Sequence, residues 1–134
     1  MKKGASGGGS ASVDVLAGEE VKARPHSKVG LKFNRVVKAG KATALSVSVY
    51  PPHPEGKFLG EVFDITATAE FSGVVTVELS FDGEGLTEAQ KKKLRVYRND
   101  LKKYSVWEDV TFSIDTKNNI AYGVTDHFSV FGVR

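Results

Sequence analysis

Cysteine is absent from the 134-residue chain. Disulfide staples, thiolate zinc sites and cysteine nucleophiles are thereby excluded, while the compartment stays open, because many secreted prokaryotic proteins also lack cysteine. Long apolar runs are missing too, and none approaches the ~20 residues that a membrane-spanning helix needs. After Met1-Lys2-Lys3 the chain turns to Gly4-Ala5-Ser6 instead of an apolar stretch, so no secretory leader is expected in it. Charge of one sign is barely in excess. With 19 Lys and Arg against 16 Asp and Glu the balance is +3, too small to track a phosphate backbone. Lys91-Lys92-Lys93 and Lys102-Lys103 are short clusters flanking one apolar run, expected as solvated charge, so nucleic acid is not an expected partner. His26, His53 and His127 lack paired-ligand spacing, and two of them stand beside prolines. No metal and no cofactor is expected.

What the chain does have is enough apolar content, 40%, to bury one core. Residues 1–12 read as a flexible Gly/Ser leader of the kind added for expression, and residues 13–134 as a single domain belonging to a longer protein. From Val13 onward short extended runs alternate with turns. Val29, Leu31 and Phe33 keep period two, as do Leu45, Val47 and Val49 in a run reaching Tyr50. Pro51-Pro52-His53-Pro54-Glu55-Gly56 interrupts regular structure, because proline removes donors and restricts its predecessor. Phe63, Ile65, Ala67, Ala69 and Phe71 predict one half-buried strand; Ser72-Gly73 predicts a turn into Val75, Val77, Leu79 and Phe81, with Phe81 to Gly85 closing that hairpin. Thr87 to Lys93 is the only helical piece, with Thr87 as cap and Gln90 as its capping-box partner. Strands at Leu94–Tyr97, 105–114, Ile120–Val124 and Phe128–Val133 follow, with Asn118-Asn119 as a tight turn. The expected fold class is all-β: a mostly antiparallel, immunoglobulin-like two-sheet sandwich with one short helical turn near 87–93. Its expected core includes Phe63, Ile65, Phe71, Val75, Val77, Leu79, Leu94, Val96, Val110, Ile120 and Phe128.

The second half has a recognisable order. Val75-Thr76-Val77 precedes an acidic helical turn and Leu94-Arg95-Val96-Tyr97; Trp107-Glu108-Asp109-Val110-Thr111, Asp115-Thr116 and His127-Phe128-Ser129 follow. Over about residues 61–133 this resembles the β-sandwich module of ankyrins, netrin receptors and autoprocessing death-domain proteins. It is equally similar to related modules at the ends of large prokaryotic surface proteins. The resemblance implies a folding and protein-contact unit, with other domains of the parent protein or neighbouring surface proteins as partners. In a subset of that family the module cuts its own backbone within a His-Phe-Ser triplet. Mapped here, Ser129 would attack the Phe128 carbonyl while His127 takes the hydroxyl proton, with the scissile bond after Phe128.

The residue types leave three readings open. A serine needs an adjacent base, and histidine has the pKa for it, but a strained peptide is also required. The alternative for the same residues is a plain strand, with Phe128 and Phe131 in the core and His127 and Ser129 on the polar face; a relaxed, uncut peptide is expected on that pattern. Trp107, Tyr97, Tyr104 and Tyr50 could stack on a sugar face, with Trp107 and Tyr97 the candidate ligand-binding residues, or anchor a core. Asp82-Gly83-Glu84-Gly85 lacks the alternating acids of a calcium loop. Glu61, Asp64, Glu70 and Glu78 lie on polar strand faces, where solvation explains them and no catalytic dyad is expected. Sparse Asn and Gln with frequent Lys and Glu point toward a thermophile. The reading that follows is a non-enzymatic structural or interaction module, extracellular or at the cell surface, with self-processing and glycan binding as its alternatives.

Overall fold

In the computed structural model, which describes residues 10–99 and 106–134, the alternating apolar residues become the facing surfaces of two sheets. The first half holds β1 (Ser10–Val15), β2 (Gly18–His26), β3 (Val29–Lys38), β4 (Gly40–Val47), β5 (Val62–Ala67) and β6 (Glu70–Ser80). The helix α1 (Glu88–Lys92) leads to β7 (Val96–Asn99), β8 (Trp107–Asp109), β9 (Thr111–Asp115), β10 (Ile120–Thr125) and β11 (Val130–Val133). One sheet has six strands in the order β1-β4-β5-β11-β7-β8, and the other five, β2-β3-β6-β10-β9. All nine pairings are antiparallel. The expected all-β two-sheet sandwich is what the chain forms.

Between the sheets lie Val29, Leu31 and Phe33 of β3, Val75, Val77 and Leu79 of β6, Phe63 and Ile65 of β5, and Phe131 and Val133 of β11, none more than 3% exposed. Of the expected core, Phe63, Ile65, Val75, Val77, Leu79 and Val96 are fully buried. Phe71, Leu94, Val110 and Phe128 are half-buried against that cluster, whereas Ile120 is half-buried outside it. Phe33 joins Phe71 and Phe128 in a tilted aromatic trio with ring centroids 5.4–5.9 Å apart, a geometry favoured by the ring quadrupoles.

Several elements differ from the sequence reading, each for a tertiary reason. The run from Phe63 to Phe71 is not one strand: the chain leaves the six-stranded sheet after Ala67 and enters the other at Glu70. Ser72-Gly73 is not a turn but part of β6, where the register against β3 shifts on either side of Arg35 and Val36. β5 and β6 therefore form no hairpin. The stretch expected over 105–114 divides at Val110 into β8 and β9, one in each sheet. β4 stops at Val47 and leaves Val49 88% exposed, and the last strand begins at Val130, two residues later than expected. The helix has the expected capping box, with Gln90 N–H donating to Thr87 Oγ1 (3.1 Å) and Thr87 N–H to Gln90 Oε1 (2.8 Å).

Two crossings between the sheets press against each other. A Cβ on Gly40 would lie 2.5 Å from the Ala69 nitrogen, so only glycine lets the β3–β4 link pass the β5–β6 link. Thr68 N–H donates to the Lys41 carbonyl (2.8 Å) and Lys41 N–H to Thr68 Oγ1 (2.9 Å), which ties the crossings together.

Pairing starts three residues inside the expected leader, for Ser10, Ala11 and Ser12 face Leu45, Ala44 and Thr43 of β4. The Ser12 and Thr43 hydroxyls are 2.6 Å apart. A chain beginning at Val13 is therefore expected to melt several degrees below one beginning at Ser10, because the lost pairing is worth about 1–3 kcal/mol at ~0.5–1.5 kcal/mol per hydrogen bond. Equal melting temperatures would mean that this end of β1 adds nothing.

Candidate functional site

The His-Phe-Ser triplet spans the link from β10 to β11, and a buried threonine shapes it. Thr125, 3% exposed, closes β10. Its hydroxyl donates to the His127 carbonyl (2.7 Å) and accepts from the Arg98 guanidinium (2.5 Å). That turn throws Asp126 and His127 to the surface, their side chains 75% and 62% exposed, where Asp126 Oδ1 and His127 Nδ1 meet at 2.7 Å. The hydrogen bond with His127 and its positive field, helped by Arg98, hold the Asp126 carboxyl below the usual range. Phe128 then turns inward onto Phe33 and Phe71.

Ser129 is buried, and its hydroxyl donates to the Asn99 carbonyl at the end of β7 (2.8 Å). Its own carbonyl accepts from Ile65 N–H of β5 (3.0 Å). The serine thus joins the tail to both strands that will flank β11. His127 and Ser129 were expected together on the polar face of a strand; the structure puts one in a surface bend and the other in the interior. Among the described residues no hydrogen bond links them. An Asp–His pair is present, but the hydroxyl it would have to activate is directed elsewhere. Left-handed φ values at residues other than glycine are confined, among the described residues, to Glu20 and Asn119, away from the Phe128–Ser129 bond.

Arg98 supports this corner. It is 8% exposed, and its guanidinium spans the sandwich from Glu108 of β8 (2.8 Å) to Thr125 of β10, with Asp126 at 4.0 Å. A guanidinium presents donors in several directions at once, which suits a joint between two sheets.

The proposed aromatic platform is real as a cluster but covered by the chain itself. Tyr97 is paired opposite Gly132 and lies on the outer face of the six-stranded sheet. The proline segment after β4 folds over that face. Phe58, buried, rests on Gly132, where a Cβ would come within 2.5 Å of its ring. Phe58 also packs on Trp107 (centroids 4.6 Å apart), and His53 packs on Tyr97 (4.5 Å). Trp107 Nε1 donates to the Pro52 carbonyl (3.3 Å), and Leu59 N–H to that of Val133 (2.6 Å). Tyr50 completes the group against Phe58 (5.8 Å). Tyr104 lies outside the described residues.

The remaining candidates sit apart. Glu61 is bound by Lys28 (2.7 Å) and Ser46 (2.8 Å), hydrogen bonds that hold its carboxyl low. Glu70 faces Lys38 (4.0 Å), and Glu78 is paired with Arg24. Asp64 is half-buried on β5 between Leu45 and Val130. Asp82 accepts from Glu84 N–H (2.9 Å), an ordinary turn bond. His26 accepts from Lys28 N–H (3.0 Å) and lies against Phe63. Among the described residues no group of three acidic or histidine side chains could hold a metal. Sequence reasoning passed over one polar set, Lys22, Arg24, Lys32 and Tyr122, on the outer face of the five-stranded sheet. Alternation within each strand marks these residues as outward, but nothing local brings them together.

No family model, curated protein or solved structure matches this chain.

His53 supplies a test of the aromatic cover. Its imidazole is held below its ordinary 6.5 by burial, then by the positive charge of Arg134, with Glu55 opposing. Nδ1 also accepts from Glu55 N–H (3.0 Å), a bond that protonation would break. The unfolded chain therefore takes up this proton first, so the contribution of His53 is complete above pH 6.5 and declines as pH falls below it. Asp14, Glu61, Asp115 and Asp126, all lowered, act further down, below their ordinary 3.8 to 4.5. Melting temperature is expected to drop between these windows, and His53→Phe, which keeps the ring, to flatten that part of the profile. An unchanged slope in the variant would dissociate the cover from His53.

Proposed function

We propose that this chain is a non-enzymatic β-sandwich module, a structural and protein-contact unit of a larger prokaryotic protein at the cell surface. The observation that carries this reading is the Ser129 hydroxyl, buried and donated to the Asn99 carbonyl. A hydroxyl committed in that way has no proton directed at His127, whose ring is engaged by Asp126 at the surface. The same bond ties the residue ahead of β11 to β7, which accounts for a serine at that position without catalysis. Other domains of the parent, or neighbouring surface proteins, are the partners this role implies. Phe112, 71% exposed on the edge strand β9 beside a break in register, is available to them together with other exposed apolar residues, Leu16, Val37 and Val49 among them.

Intact-mass spectrometry after prolonged incubation, with and without hydroxylamine, tests the reading. A single uncut mass is expected, and Ser129→Ala is expected to cost about 1–3 kcal/mol of stability because a buried hydrogen bond is lost. A fragment beginning at Ser129, abolished by that substitution, would make this a self-processing module instead. In the full-length parent, lysine-reactive cross-linking is expected to join this module to other domains or to neighbouring surface proteins.

A further inference from the structure

We propose that the outer face of the five-stranded sheet binds an acidic oligosaccharide, a run of uronate sugars, in the notch above Gly30. The notch follows from the register. Gly30 faces outward from β3 directly opposite Glu78 of β6, and Glu78 is opposite Tyr122 of β10. Gly30 has no side chain of its own, and the Arg24–Glu78 pair lies across it and floors the notch: a Cβ there would lie 2.9 Å from both Arg24 Nη2 and Glu78 Oε2. In the adjacent row Lys22, Lys32 and Thr76 stand side by side. The resulting groove has a volume of about 470 Å³, inside the ~300–1,000 Å³ range of small-ligand clefts.

The charge of the groove selects the ligand. Lys22, Arg24 and Lys32 line the groove with one lining carboxylate, Glu78, which is paired with Arg24. Lys32 reaches Glu20 at 3.1 Å, but that carboxylate is 70% exposed, so the pair is weak and exchangeable. Lys22 has no carboxylate partner among the described residues. An anion with hydroxyls around it satisfies this set: carboxylate to the lysines, hydroxyls to Thr76 and Glu78, and a ring face to Tyr122. The Tyr122 phenol, raised above its ordinary 10.0 by burial and by the charges of Glu78 and Asp115, can donate as well. An acidic peptide fits less well. β3, β6 and β10 are interior strands with both neighbours in place, so an extended chain finds no main-chain partners there. Free phosphate is gathered by clustered backbone N–H groups, which the interior of a sheet does not present. The site is independent of the contact role proposed above.

Calorimetric titration of the full chain with tetragalacturonate, its fully methyl-esterified form and tetraglutamate decides the matter. Saturable one-to-one binding of tetragalacturonate is expected, weakened at least about tenfold by esterification, by Lys22→Ala with Lys32→Ala, and by Gly30→Val. A Cβ at position 30 meets first the flexible ends of Arg24 and Glu78, and valine suits a strand. Lys22→Glu, at an exposed position, repeats the test with no demand on packing. Tyr122→Phe is expected to retain most of the affinity and Tyr122→Ala to lose it. No saturable heat at millimolar sugar, equal binding of the ester, or indifference to Gly30→Val would each overturn the proposal. Tighter binding of tetraglutamate would overturn it in favour of an acidic peptide.

Discussion

Four residues at the end of the chain hold the six-stranded sheet together. Val130–Val133 lies between β5 and β7, so without it the sheet falls into a three-stranded part and a two-stranded part that share no ladder. Phe131 lies opposite Phe63 on one side and Arg98 on the other, and is fully buried. This sheet closes only when residues nearly seventy positions apart in sequence meet, the kind of non-local pairing whose loop-closure entropy must be met before contacts return it. The triplet ahead of β11 is best understood from that constraint. Phe128 fixes the approach by packing on Phe33 and Phe71, and Ser129 begins the attachment to both neighbours, with its carbonyl to β5 and its hydroxyl to β7.

The alternation that made the strands legible also hid where the chain changes sheet. Both sheets enclose one core, so an inward residue stays inward when the chain crosses over. Ile65, Ala69 and Phe71 keep their parity from β5 into β6, and nothing local marks the break at Thr68. The signal is at Gly40, whose missing side chain makes room for that crossing, but it comes from a residue 29 positions away from Ala69. Gly73 misled in the opposite direction, since a glycine beside serine reads as a turn and here serves a register shift inside a long strand. The capping box of α1 was readable because all its partners lie within four residues.

The same division governs the candidate site. His127 and Ser129 were recognisable by type, and their adjacency in sequence suggested adjacency in space. Thr125 decides otherwise: by bonding the His127 carbonyl and Arg98 it turns one residue out, and Asn99 draws the other in. Neither Thr125 nor Asn99 is unusual in sequence. The influence of Thr125 is tied to Arg98, a charge whose burial calls for partners on several sides, and Thr125, Glu108 and Asp126 stand around it.

The two outer faces then take opposite routes to solubility. Across β11, β7 and β8 the exposed surface would be aromatic, and the chain covers it with the proline segment, whose restricted backbone lowers the entropy lost in ordering it. Across β3, β6 and β10 the exposed surface is charged and hydroxylic, so water covers it at no cost and no segment is spent on it. Recognition on that face has to come from side chains alone, because every interior strand has both ladders filled. A glycine in such a row is then informative. It weakens the strand and adds no contact to the core, yet at position 30 it leaves the room in which the Arg24–Glu78 pair lies flat beneath Lys22, Lys32 and Tyr122.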